Sequence, residues 1–145
     1  MMNQPKRLCS ACLLGVTCRF DGPRKPDKRV MDLMDSELLI PICPEQLGGL
    51  TTPREMAEIS GSKVFTLSGK DVTKQFRQGA KEVLKIAKLL GIKKAILKQR
   101  SPSCGCGRIF DGTFTRSLKK GDGITTKLLK KNGIEVISEE ELPEP

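Results

Sequence analysis

The sequence predicts an α/β protein, a mostly parallel sheet flanked by helices in a Rossmann-like three-layer sandwich. Short apolar, β-branched runs at 7–12, 38–43, 94–98 and 134–137 alternate with helical patterns, as a parallel sheet with crossover helices requires. In the longest such pattern Val72, Phe76, Ala80, Val83, Ala87 and Leu90 trace one face of a helix that Gly91 stops. No internal repeat, low-complexity tract or linker divides the 145 residues. They read as a single domain, 1–145, with its core over about 7–140 and a short acidic C-terminal tail.

In chain order, residues 7–12 form the first expected strand. Gly15 to Pro26, rich in Gly, Pro, Asp and Arg, reads as a loop. Val30, Leu33, Met34 and Leu38 recur at helical spacing, which predicts a short helix leading into the strand at 38–43. Residues 44–49 read as a loop, and Pro53 suits the first turn of a short helix over 53–57. Lys63–Leu67 is a strand or one arm of a hairpin. After the long helix and the strand at 94–98, Gly121-Asp122-Gly123 introduces a helix near 123–132, with Asp122 as N-cap and Gly133 past its end. The strand at 134–137 completes the set. Right-handed crossovers place the loops that follow the strands on one sheet edge.

Composition narrows the chemistry. The formal net charge is +9, from 26 basic and 17 acidic residues. Four of those acids, Glu139, Glu140, Glu141 and Glu144, crowd the C-terminus, so the rest of the chain is more basic still. Such a surface attracts polyanions, RNA among them, or is simply a solvated basic face. Aromatics are 3%, all five of them Phe, which leaves little for stacking single strands. Charged residues or Pro interrupt every apolar run, so no membrane span is expected, and Met1–Lys6 lack an apolar h-region. A cytoplasmic location follows as the expectation. In a reducing compartment six cysteines read as metal ligands, catalytic groups or buried thiols rather than disulfides. The chain has no His, which excludes Ser-His and Cys-His nucleophile pairs and any His-ligated zinc. Acid–base work falls to Asp, Glu, Lys, Cys or a bound water.

Cys12, Cys43 and Cys104 each follow an apolar run and abut a Gly- or Pro-rich turn. If those runs are neighbouring parallel strands, the three thiols share the carboxyl edge, where open α/β sheets bind ligands. Three thiolates far apart in sequence suit an iron–sulfur cluster with one iron left for chemistry. A zinc site from Cys9, Cys12, Cys104 and Cys106 is the competing set, although Cys9 lies within a strand and reads better as core. Cys18 and Cys106 stand open between site thiols and incidental ones. Glu45, two residues past Cys43, is a solvated carboxylate or a general acid–base whose pKa a desolvated cluster raises. Ser101 and Ser103 are turn residues or hydrogen-bonding groups for a substrate carbonyl or a cluster sulfide. Arg19 pairs with Asp21 in a loop or binds substrate. Gly48 and Gly49 make a turn or let backbone approach a ligand.

Ser10-Ala11-Cys12-Leu13-Leu14-Gly15 with Arg19-Phe20-Asp21-Gly22, Cys43-Pro44-Glu45-Gln46-Leu47-Gly48-Gly49, Ser101-Pro102-Ser103-Cys104-Gly105 and Phe110-Asp111-Gly112-Thr113-Phe114 together resemble the domain-of-unknown-function-523 family. Its characterised activity is that of thiouracil desulfidase, and the likeness runs from about Arg7 to Glu140. The resemblance implies a 4Fe–4S cluster on Cys12, Cys43 and Cys104. It also implies removal of sulfur from 2-thiouracil, with Glu45 and a serine of Ser101-Pro102-Ser103 at the active site. Cys9 stands where the family often carries an aliphatic residue, and Cys106 lies outside the family pattern. The expected function is therefore non-redox desulfidation of a small thiolated nucleobase. The alternatives are an enzyme acting on thiolated RNA and a non-catalytic zinc or iron–sulfur module.

Overall fold

The computed structural model describes residues 4–21 and 26–143. Its centre is a four-stranded parallel sheet in the order β2-β1-β5-β8. The strands are β1 (Lys6–Ser10), β2 (Leu38–Ile42), β5 (Lys94–Leu97) and β8 (Glu135–Ser138). Successive residues of each strand point to opposite faces, and both faces are apolar, as a sheet covered on both sides requires. Leu8, Ile42, Ala95, Leu97 and Val136 face the helices α3 (Thr73–Leu90) and α4 (Ile124–Lys131). Cys9, Leu39 and Ile96 face a 3₁₀ turn at Ala11–Leu14 and the helix α1 (Lys28–Leu33). The expected three layers are present.

Two antiparallel hairpins flank this core. In the first, β3 (Ala57–Ser60) pairs with β4 (Lys63–Thr66) in the register Ala57↔Thr66, which makes Lys63–Leu67 a hairpin arm. The helix expected over 53–57 does not form. The Arg54 N–H donates to the Phe20 carbonyl at 2.7 Å and the chain runs on extended into β3, so tertiary bonding overrides the Pro53 signal. The second hairpin, β6 (Arg108–Phe110) with β7 (Leu118–Lys120), has no counterpart in the sequence reading, because three-residue strands with an exposed β7 carry no apolar alternation.

Other boundaries shift for local reasons. The first strand ends at Ser10, and Cys12 sits in the 3₁₀ turn that Gly15 closes at φ +85°. The expected loop at 44–49 holds a one-turn helix, α2 (Pro44–Leu47). The loop expected over Gly15–Pro26 lies partly outside the described residues. Leu90, placed on the buried face of α3 by periodicity, is 47% exposed as the helix's last residue, next to the Gly91 C-cap. Asp122 does not cap α4. Gly123 occupies that position, while Asp122 accepts from the Gly107 N–H at 2.8 Å and pairs with Lys130 at 3.1 Å. Glu139, counted with the acidic tail, is buried beneath β8's end.

Gly48 and Gly79 explain how α2 is seated. A Cβ on Gly48 would strike the Gln75 carbonyl, and one on Gly79 would strike the Pro44 carbonyl. The two helices therefore meet backbone to backbone, and α3 fixes the segment that carries Cys43 and Glu45. In an ordinary helix interior Gly→Ala is stabilising by about 1 kcal/mol. Here Gly79→Ala is expected to destabilise by about 1–3 kcal/mol through overpacking. Urea unfolding followed by circular dichroism tests this, and an unchanged or raised midpoint would show that α2 is not held by this contact.

Candidate active site

The carboxyl ends of β1, β2 and β5 open onto one cavity of about 410 Å³. The chain runs from β1 to β2 on one side and crosses to β5 on the other, so the strand order reverses at β1. Such a reversal parts the loops above the sheet and leaves a crevice for a ligand. Cys12, Cys18, Cys43 and Cys104 all line it. Cys12 follows β1, Cys43 is the N-cap residue of α2, and Cys104 lies in the turn after β5.

That last turn is held by α4. The first N–H groups of a helix lack intrahelical partners. Here Ile124 N–H donates to the Pro102 carbonyl and Thr125 N–H to the Ser103 carbonyl, both at 2.9 Å. The Thr126 hydroxyl donates to the Cys104 carbonyl at 2.8 Å. Gly123 is required at this contact, because a Cβ there would strike the Ser103 carbonyl. The Ser103 hydroxyl is part of the clamp: it is buried and bonded to the Thr125 hydroxyl at 2.6 Å, away from the cavity. Ser101 does line the cavity. Its oxygen accepts the N–H groups of Ser103 and Cys104, both at 3.1 Å, so its own O–H is left to donate elsewhere.

The thiols differ in their surroundings. Side-chain hydrogen bonding with Cys18 holds Cys12 and Cys43 below the ordinary thiol value, Cys43 at about 7, and drives Cys18 itself up. The backbone N–H of Gln46 assists at Cys43. Cys104 is 4% exposed, and burial pushes its thiol up. Cys9 lies in the core on the sheet's other face, with burial raising it to about 12. Cys106 is outside the cavity lining, its Sγ 3.5 Å from the Val136 carbonyl oxygen. The zinc set Cys9, Cys12, Cys104 and Cys106 does not assemble. Indeed, no group of three or more His, Cys, Asp or Glu among the described residues gathers to hold a metal ion. Thiols on separate loops around one cavity fit a polynuclear cluster, in which each cysteine takes a different iron.

Glu45 lines the cavity from α2. Its neighbour is a cation: Arg54 Nε donates to Glu45 Oε1 at 2.9 Å, while Arg54 Nη2 donates to the Cys18 carbonyl at 2.9 Å. Arg54 thus ties the Cys18 loop to α2, a role with no sequence signal because the two segments meet only in the fold. Arg19 also lines the cavity, bonded through Nε and Nη2 to Asp21 at 3.1 and 3.0 Å. Gly48 and Gly49 do not line it. Gly48 serves the contact with α3, and Gly49 follows α2 at φ +95°. Lys98 lines the cavity as well, fixed by buried Glu139 at 3.0 Å, and its charge helps to lower Cys12. Two aromatic rings, Phe20 and Phe110, complete the walls, which the low aromatic content did not lead us to expect.

No helix among the described residues is long and apolar enough to cross a membrane. The chain is 45% identical to a solved structure described as a 4Fe–4S-dependent thiouracil desulfidase, TudS, with a TM-score of 0.90 over 96% of this chain and 93% of that one. It is 43% identical to an uncharacterised protein, YbbK, of Bacillus subtilis (strain 168), over 93% of this chain and 96% of the relative. The family model described as 2-thiouracil desulfurase matches residues 8–141, and the chain belongs to that family.

Proposed function

We propose that the protein is a desulfidase that converts 2-thiouracil to uracil and releases sulfide, with a 4Fe–4S cluster held by Cys12, Cys43 and Cys104. The observation that carries this reading is the placement of those three thiols, from three separate loops, around one cavity that Glu45 and Ser101 also line. When bound, the cluster supplies a thiophilic Lewis acid at the iron that no cysteine holds. The net change is hydrolytic: water supplies the carbonyl oxygen, its two protons leave with the sulfur as hydrogen sulfide, and no electron is transferred.

The chain's own groups divide the remaining work. Arg54 engages Glu45 Oε1, so Glu45 Oε2 is the oxygen that takes a proton from the attacking water. The Ser101 O–H, its oxygen already satisfied by two backbone N–H groups, donates to a heteroatom of the ring. Arg19 braces the rim through Asp21. Ser103 supports the Cys104 turn rather than the reaction.

Activity is tested by anaerobic reconstitution and assay of 2-thiouracil for uracil and sulfide. Iron per chain is expected to fall in Cys12→Ser, Cys43→Ser and Cys104→Ser, and to stay full in Cys9→Ser. Full iron in Cys43→Ser, or its loss in Cys9→Ser, refutes the ligand set.

Glu45→Gln is expected to keep its iron and lose about 10²–10⁴-fold in turnover, the range for a positioned acid–base group. Near-normal turnover would make Glu45 peripheral. The basic surface is expected to bind RNA through phosphate contacts alone, weakening steeply with salt, while turnover of the free base barely changes. Fast low-salt reaction of thiolated RNA beside an inert free base would instead favour the RNA enzyme.

A further inference from the structure

We propose that Arg116, stacked on Phe110, is the surface on which the substrate's planar ring lies, and that buried Glu58 is the positioning residue that holds it there. The inference rests on the desulfidase reading and assigns it a specificity determinant. Arg116 and Phe110 both line the cavity, with the guanidinium carbon 5.0 Å from the ring centroid, within the range of a cation–π stack. Arg19, Arg54, Lys98 and Arg100 also line the cavity, and each pairs with a carboxylate. Arg116 is the one lining cation without such a partner among the described residues. A guanidinium stacked on one side keeps its second face for another flat π system, and a thiocarbonyl pyrimidine is such a system.

The backbone that delivers Arg116 is held under constraint. Phe114 and Arg116 sit at φ +59° and +62°, a left-handed conformation that side chains other than glycine rarely adopt. Such conformations persist where surrounding contacts over-determine them, and they cluster at ligand clamps. The buried contact here is Glu58, 2% exposed, whose Oε1 accepts the N–H groups of Gly112 at 3.0 Å and Phe114 at 3.1 Å. Beside it are exposed bonds from Thr113 N–H to Asp111 Oδ1 at 3.0 Å and from Asp111 N–H to the Ser117 carbonyl at 2.9 Å. Gly112 lies so close to β3 that a Cβ would meet the Ile59 carbonyl. Glu58 Oε2 has no hydrogen-bond partner, the only such buried side-chain oxygen among the described residues. A carboxylate kept in the core with one oxygen unsatisfied is tolerated for what the other oxygen holds, the turn before Arg116.

The experiment measures KM and kcat for 2-thiouracil on cluster-loaded protein, and separately the dissociation constant of uracil by equilibrium dialysis. Arg116→Ala and Arg116→Lys are both expected to keep their iron, raise KM and the uracil dissociation constant by about tenfold, the upper range of such a stack, and affect kcat less. Glu58→Ala is expected to raise KM similarly, Glu58→Gln to restore much of the affinity by retaining Oε1, and Glu58→Ala with Arg116→Ala to be no worse than either alone. Unchanged KM and uracil binding in Arg116→Ala overturns the proposal. So does wild-type affinity in Arg116→Lys, which would leave charge without stacking as the cause, or the absence of measurable uracil binding by the wild type. If loaded wild type fails to turn over thiouracil yet binds uracil through Arg116, the desulfidase reading falls and the ring-binding surface stands.

Discussion

The hydrogen bonds between the first turn of α4 and the carbonyls of the Pro102–Cys104 turn decide where the Cys104 thiol lies. A helix start must find acceptors for its unpaired N–H groups. With a glycine at the N-cap, α4 has no side chain to offer, so it takes those acceptors from the turn itself. The same bonds that stabilise the helix therefore fix a buried cysteine over the sheet. Ser103 and Thr125 close the arrangement side chain to side chain, which is why the serine nearest Cys104 in sequence belongs to the scaffold and Ser101 to the cavity.

The Cys43 side of the cavity is built on a different principle. There, two glycines remove the side chains that would keep α2 and α3 apart, and backbone contact sets the height of Cys43 and Glu45. The Cys12 side depends on the end of β1, where the Ser10 hydroxyl accepts the Lys98 N–H at 2.8 Å and so ties the ends of neighbouring strands together. The Cys18 carbonyl meets Cys43 Sγ at 3.8 Å, and Arg54, which also holds Glu45, fastens that carbonyl to α2. Each thiol is thus placed by a separate local device, while the parallel sheet supplies their common edge.

Charge around the cavity is arranged in pairs. Arg54 with Glu45, Arg19 with Asp21 and Lys98 with Glu139 put cations beside thiols with each charge balanced, which leaves Arg116 as the unpaired lining cation among the described residues. Lys98 shows the consequence, since its charge favours the thiolate of Cys12 while Glu139, buried near the chain's end, keeps it in place. The basic excess of the sequence resides elsewhere on the surface, as on the exposed β7. Composition alone did not distinguish these two populations of charge.

The sequence by itself determined the sheet, its parallel sense and the long helix, because short unbroken apolar runs, alternating with a 3.6-residue period, are written directly in which residues are apolar. It also placed Cys12 and Cys43 at the ends of strands, Cys104 shortly after one and Cys9 within one. Tertiary structure decided what depends on groups brought from distant segments. It turned the expected helix after Pro53 into an extended run because Phe20 offered a carbonyl, and withdrew Asp122 from capping because Gly107 and Lys130 competed for it. It moved Gly48 and Ser103 into the scaffold, and brought Arg54, Phe110 and Arg116 to the cavity. Periodicity reports only whether a residue faces the core, whereas a site is a set of directions and partners that exists once the chain has closed on itself.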